Sequence, residues 1–75
     1  MRQINEIAFD IKKEWKNVYF GAVPYLDAMF SLSDKNSMYG YDSGKSIVNY
    51  FLANASSFRG ERARELKLEL KSVIK

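Results

Sequence analysis

Apolar residues recur along the chain every three or four positions, the spacing of helices that bury one face. The pattern predicts helices over residues 4–17, 23–33, 43–56 and 60–74. The apolar stripe of the first helix comprises Ile4, Ile7, Ala8, Ile11, Trp15, Val18 and Tyr19. That of the last helix comprises Ala63, Leu66, Leu70, Val73 and Ile74. No strand-like alternation of more than four residues occurs, so the predicted fold class is all-α, a compact bundle of four short helices.

Turn-forming residues separate these helices. They are densest over 34–42, which is predicted to be the one longer loop, and Arg59 with Gly60 marks the break before the last helix. Asp42 or Ser43 is expected to cap the third helix, because a short side-chain oxygen accepts from the free N–H groups of the first turn.

The segment 40–46 ends in Gly-Lys-Ser, as a phosphate-binding P-loop does. It has one residue fewer between its glycines than that loop needs, and no strand-like stretch precedes it. Asp42 would also place a negative charge where a phosphate should lie. The segment therefore predicts a helix cap, with Asp42 satisfying the free amides, and not a nucleotide site.

Length and composition indicate one small domain without catalytic chemistry. The 75 residues, 47% of them hydrophobic, suffice for a single core, so residues 1–75 are predicted to form one helical domain. The sequence contains no cysteine and no histidine, which removes disulfides, zinc thiolates and the commonest general base. We therefore expect no catalytic residue, no metal site and no cofactor, and we expect that the protein is not an enzyme.

The chain is predicted to be cytoplasmic and to make no membrane contact. Its longest apolar stretches, FGAVPYL and IVNYFLANA, are far shorter than the ~20 residues that span a bilayer. Charged residues also interrupt the N-terminal segment, where a signal peptide would need an unbroken apolar run.

The last helix separates its charges. One flank carries Arg64, Lys67, Lys71 and Lys75, and the other carries Glu61, Glu65 and Glu69. Leu68 lies between the flanks, about 160–180° from the core stripe at ~100° per residue. The pattern is typical of a surface helix, and it also suits a polarised surface that orients a partner.

Phe9 breaks the amphipathic pattern of the first helix in the same way. It lies ~140° from the middle of the stripe. Its neighbours on the helical wheel are Arg2, Lys12, Lys13 and Lys16. Phe9 and Leu68 together predict one apolar patch that contacts a protein, unless a neighbouring helix covers Phe9 or both exposures are harmless. A phenylalanine among lysines also suits nucleic acid, with the ring on a base and the ammonium groups on phosphates.

These features favour a non-catalytic protein–protein interaction module. The candidate contact residues are Phe9, Lys12, Lys13, Lys16, Arg64, Lys67, Leu68 and Lys71. The expected partner is an unidentified protein or a second copy in a homodimer. The alternative is an accessory nucleic-acid-binding protein that uses the Lys12, Lys13 and Lys16 face with the basic flank of the last helix.

Four strings carry a resemblance. They are DIKKEWKN (10–17), YFGAVPYLDAM (19–29), YGYDSGKSIVNYFLANASSFRGE (39–61) and ARELKLEL (63–70). In these strings the chain resembles small uncharacterised proteins encoded by phages, prophages and mobile elements of Gram-positive bacteria. The resemblance spans most of the chain and brings no activity, cofactor or site residue with it. It implies a bacterial cytoplasm and an accessory or inhibitory protein that binds a host or phage protein.

Overall fold

The computed structural model describes residues 2–75, and within this range the fold is mostly helical but not all-α. The helices are α1 (Ile4–Glu14), α2 (Val23–Met29), α3 (Gly44–Ala53) and α4 (Glu61–Val73). The strands are β1 (Met38–Tyr39) and β2 (Asp42–Ser43), which pair antiparallel. None of the helices in the described range combines the length and apolarity needed to cross a lipid bilayer.

The small hairpin corrects the prediction of an irregular loop over 34–42. Met38 pairs with Ser43, and Tyr39 pairs with Asp42. The turn between them begins with Gly40 at φ 63°, a left-handed conformation that suits glycine at this place in a tight hairpin. Strands this short show no alternation of apolar and polar residues, so the sequence carries no periodic signal for them.

The helices are shorter than predicted. The end of α1 shows the reason: Trp15 leaves the helix with φ −96° and ψ 92°, and its ring then stacks on Phe58 with the centroids 5.0 Å apart. In α2 the regular helix ends at Met29, and the next residues continue as tighter turns in which, for example, the Leu32 N–H donates to the Met29 carbonyl. Tertiary burial and tight turns therefore end helices whose apolar spacing continues further.

The third helix begins at a serine cap. The Ser43 hydroxyl accepts from the Ser46 N–H at 3.1 Å, so Ser43 and not Asp42 caps α3. The Gly-Lys-Ser segment is thus the first turn of a capped helix that follows a hairpin.

The core is formed by one face of each helix. The stripe predicted for α4 is buried throughout, as is that of α1 up to Trp15. Val18 is only partly buried and Tyr19 is exposed, because both lie beyond the end of α1. Phe51 of α3 is fully buried at the centre, with its ring edge-on to Trp15 at a centroid distance of 6.1 Å.

Ion pairs join the facing flanks of α1 and α4. Arg2 Nη1 lies 2.7 Å from Asp10 Oδ2, and Arg2 Nη2 lies 2.6 Å from Glu69 Oε1. Arg62 Nη2 lies 3.2 Å from the same Asp10 oxygen. Because the start of the chain meets the later part of α4 and Asp10 meets its start, the two helices run antiparallel.

We expect acid to weaken the fold through these ion pairs. Hydrogen bonding to Arg2 lowers the pKa of both Asp10 and Glu69. The resulting stabilisation is fully present above the ordinary carboxyl pKa of ~4, and it is lost as the pH falls through the lowered folded-state values. Because the acid side chains are partly solvated, at 21% and 30% exposure, the total effect is about 1 kcal/mol.

Urea unfolding at pH 7 and pH 3 measures this effect. We expect Asp10→Asn to reduce the difference in unfolding free energy between the two pH values. Asp27→Asn is the control, because Asp27 is exposed and takes part in no ion pair within residues 2–75. Equal pH dependence in the two variants would contradict the assignment.

Candidate partner-binding surface

A groove lined by cationic side chains runs along the outer flank of α4. It has a volume of about 420 Å³. Its lining residues are Phe58, Arg59, Gly60, Arg64, Lys67, Leu68 and Lys71. We call this surface the basic groove, since no carboxylate lines it.

The turn before α4 builds one wall of the basic groove. Gly60, at φ 115°, precedes the first residue of α4 in a conformation that suits glycine. The turn holds the Phe58 ring against Trp15, where it is almost fully buried. Lys67 Nζ lies 5.8 Å from the centroid of the Phe58 ring, within the range of a cation–π contact.

The cations of the basic groove crowd one another. The pKa of Lys67 is lowered, first by partial burial and then by the positive charges of Lys71 and Arg59. Among residues 2–75, none of the cations lining the groove forms an ion pair. An anion bound here would offset this repulsion and meet side chains that have no other acidic partner.

Leu68 forms an apolar rim shared by two grooves. Its side chain is 56% exposed. With Lys71, Ser72 and Lys75 it lines a second depression of about 440 Å³ that continues the basic groove along α4. The surface therefore combines positive charge with one exposed apolar side chain.

Phe9 lies in a different groove. Its side chain is 60% exposed. This groove has a volume of about 490 Å³. It is lined by Arg2, Asn5, Glu6, Phe9, Asp10 and Phe30. Lys13 Nζ lies 5.6 Å from the centroid of the Phe9 ring. The lining carries both signs of charge, and Arg2 and Asp10 neutralise each other there.

The structure does not join Phe9 and Leu68 into one patch. They line separate grooves, and the ion pairs of Arg2, Asp10 and Glu69 connect α1 to α4 along their facing flanks. The predicted contact residues divide in the same way. The basic groove contains Arg64, Lys67, Leu68 and Lys71, whereas Phe9, Lys12, Lys13 and Lys16 lie outside it.

Three lining residues, Phe58, Arg59 and Gly60, were absent from the sequence-based candidates. Phe58 and Arg59 lie in the turn before α4, and the sequence pattern marks Arg59 with Gly60 only as a break between helices. An arginine directly before a helix with a cationic flank indicates that the flank extends into the preceding turn, because that turn lies against the first turns of the helix. The contact between Phe58 and Lys67 is not encoded in any spacing along the chain.

The described residues offer surface chemistry rather than an enclosed polar site. Within residues 2–75 no polar or charged side chain is buried, and no group of three carboxylates converges where a metal ion would be held. Comparison with family models, with curated proteins and with solved structures found no match to this chain.

Proposed function

We propose that this protein is a non-catalytic protein–protein interaction module whose partner docks on the basic groove. The supporting observation is the exposed side chain of Leu68 beside Arg64, Lys67 and Lys71, which have no acidic partner in residues 2–75. An apolar contact surrounded by polar and charged groups is the usual composition of a protein interface. The proposed setting is an accessory or inhibitory role in the bacterial cytoplasm, for a protein of phage or mobile-element origin.

A different protein suits this surface better than a second copy does. If two α4 helices pack antiparallel across a twofold axis, the same flank of each copy meets its counterpart. The cations Arg64 and Lys71 of one copy would then face the same two cations of the other copy, and these like charges would repel. This repulsion favours a partner that carries the opposite charge.

Changing Leu68 to lysine is expected to abolish capture of the partner. The substitution replaces the apolar contact with a further positive charge, and it leaves the core untouched because Leu68 points away from the buried stripe. Affinity-tagged wild type and Leu68→Lys are compared by pull-down from the native host, with the retained proteins identified by mass spectrometry. We expect a protein retained by the wild type and lost with the variant.

Tyr41→Ser is the matched control for this experiment. Tyr41 lies at the hairpin tip, is fully exposed and lines none of the grooves described above. We expect this variant to retain the partner, and circular dichroism verifies that both variants are folded. Retention of the same proteins by wild type, Leu68→Lys and Tyr41→Ser would refute docking on α4.

Accessory nucleic-acid binding is the second candidate function. It would use the Lys12, Lys13 and Lys16 face with the basic flank of α4. Its support is that these cations form no ion pair within residues 2–75, since phosphates are held by lysine and arginine. Fluorescence anisotropy with labelled single- and double-stranded DNA at about 50 mM salt tests it, because phosphate contacts weaken steeply as salt rises. Absence of binding at this low salt concentration would exclude the role.

A further inference from the structure

We propose that the basic groove binds an acidic peptide segment that carries one apolar side chain. This inference rests on the proposed function and names the class of partner that the groove selects. The carboxylates would lie over Arg64, Lys67 and Lys71, and the apolar side chain would contact Leu68 at the rim.

The charge of the basic groove favours an acidic segment. The lining contains Arg59, Arg64, Lys67 and Lys71 and no acidic residue. The acids of α4 that form ion pairs, Glu65 and Glu69, do so with Arg62 and Arg2 and are thus directed away from the groove. Fixed arginine and lysine side chains without a counter-charge attract carboxylates and reject basic segments.

The size of the groove sets the length of the segment. Arg64 and Lys71 are two helical turns apart, about 10 Å along the axis at 1.5 Å per residue. An extended chain covers about 3.3 Å per residue, so roughly three residues span this distance. Leu68 lies within the same interval of α4, where a neighbouring apolar side chain of the segment can pack on it.

The aromatic ring argues against nucleic acid as the occupant. Sequence-tolerant binding of single strands uses exposed rings on which bases stack. Phe58 is only 4% exposed, because Trp15 covers one face and Lys67 lies over the ring.

The test uses a fluorescein-labelled peptide with glutamates on both sides of a single leucine. Fluorescence anisotropy at physiological salt measures its dissociation constant for the full chain. Exchange of the glutamates for glutamines is expected to abolish binding, and exchange of the leucine for serine is expected to weaken it by roughly tenfold, the value of about half a buried leucine. Equal binding of all three peptides would overturn the proposal.

Two charge reversals locate the site on the protein. Lys71→Glu is expected to weaken binding of the acidic peptide by about tenfold or more, because it removes one cation of the groove and adds a repelling charge. Lys45→Glu changes the net charge equally, but Lys45 is exposed and lines none of the grooves described above. We expect less than about a twofold change for this control, apart from a small effect of net charge. Similar losses in both variants would show non-specific attraction and would overturn the proposal.

A single-stranded oligonucleotide of equal charge separates the two classes of macromolecule. We expect it to bind more weakly than the acidic peptide. If it binds more tightly, and Lys71→Glu weakens that binding, the groove is a nucleic-acid site and the proposal fails. Should Lys71→Glu not fold, Arg64→Glu reports on the same groove from its other end.

Failure of this inference is distinguishable from failure of the proposed function. If no acidic peptide binds while Leu68→Lys still loses the cellular partner, the interaction module stands and the acidic chemistry is wrong. If the peptide shows the expected variant pattern while pull-downs of wild type and Leu68→Lys are identical, the groove binds acidic segments and the proposed cellular docking is wrong.

Discussion

Replacement of Phe51 by alanine is expected to remove most of the free energy of unfolding of this protein. The Phe51 side chain is fully buried on α3 and meets Trp15 edge-on at the end of α1, so its loss leaves a cavity at the centre of the core. Substitutions of this kind cost about 3–5 kcal/mol. A single core in a chain this short rarely supplies more than ~3–5 kcal/mol in total. The variant should therefore be largely unfolded without denaturant.

Urea unfolding followed by circular dichroism and by the fluorescence of Trp15 measures this loss. Phe20→Ala is the matched control, because it makes the same chemical change at a side chain that is 80% exposed. We expect the control to alter the free energy of unfolding by no more than about 0.5 kcal/mol. A cooperative transition in Phe51→Ala close to that of the wild type would show that Phe51 is not central to the core.

Gly44→Ala is expected to destabilise the protein although alanine is the better helix former. Gly44 is the buried first residue of α3, and a β-carbon there would collide with the main-chain carbonyl oxygen of Asp34. Two hydrogen bonds hold the loop in this place: Gly44 N–H donates to the Ser37 carbonyl at 2.6 Å, and Lys45 N–H donates to the Lys35 carbonyl at 3.0 Å. Helix propensity favours alanine by ~1 kcal/mol. Overpacking costs about 1–3 kcal/mol, so the clash outweighs propensity.

The urea midpoint of Gly44→Ala, compared with that of Lys45→Ala, decides the sign. Lys45 is exposed and belongs to the same helical turn, so its substitution tests propensity without the clash. We expect a lower midpoint for Gly44→Ala and little change for Lys45→Ala. A raised midpoint for Gly44→Ala would show that the loop moves aside at negligible cost.

The ion pairs between α1 and α4 explain why the proposed binding surface is so one-sided. Arg2 pairs with Glu69 and Asp10, and Arg62 pairs with Asp10 and Glu65. These contacts occupy acids on the flank of α4 that faces α1. The cations on the opposite flank, including Lys67 and Lys71, are left without acidic partners within residues 2–75. The ion pairs thus occupy Glu65 and Glu69 and leave the basic flank of α4 uncompensated within residues 2–75.

The apolar spacing was sufficient to predict a helix where one face stays buried along its whole length. The stripe from Ala63 to Ile74 predicted the buried face of α4, and the helix bounds differ from the prediction by one residue at each end. It was insufficient at the end of α1, where Trp15 turns out of the helix to reach Phe58. A long-range contact ended the helix there, and the spacing of residues along the chain does not predict such a contact.

For the candidate site too, the helical wheels predicted features of single helices but not how those helices pack together. The helical wheel placed Leu68 between a basic and an acidic flank, and Leu68 is exposed in the structure. The wheel of α1 likewise placed Phe9 away from the buried stripe but left open whether a neighbouring helix covers it, and Phe9 is exposed in the structure. The wheels did not predict how the two helices pack, and in the structure Phe9 and Leu68 line separate grooves.

The amino-acid sequence by itself determined the helical character of the chain, the buried faces of its longer helices and the two-flank charge pattern of α4. These properties depend on the period of the helix, which is local. Only the tertiary structure decided the hairpin at 38–43, the cap at Ser43 and the choice of which flank of α4 lies against α1. The physical reason is that each of these depends on groups brought together by folding, and their distances and free energies are not functions of separation along the chain.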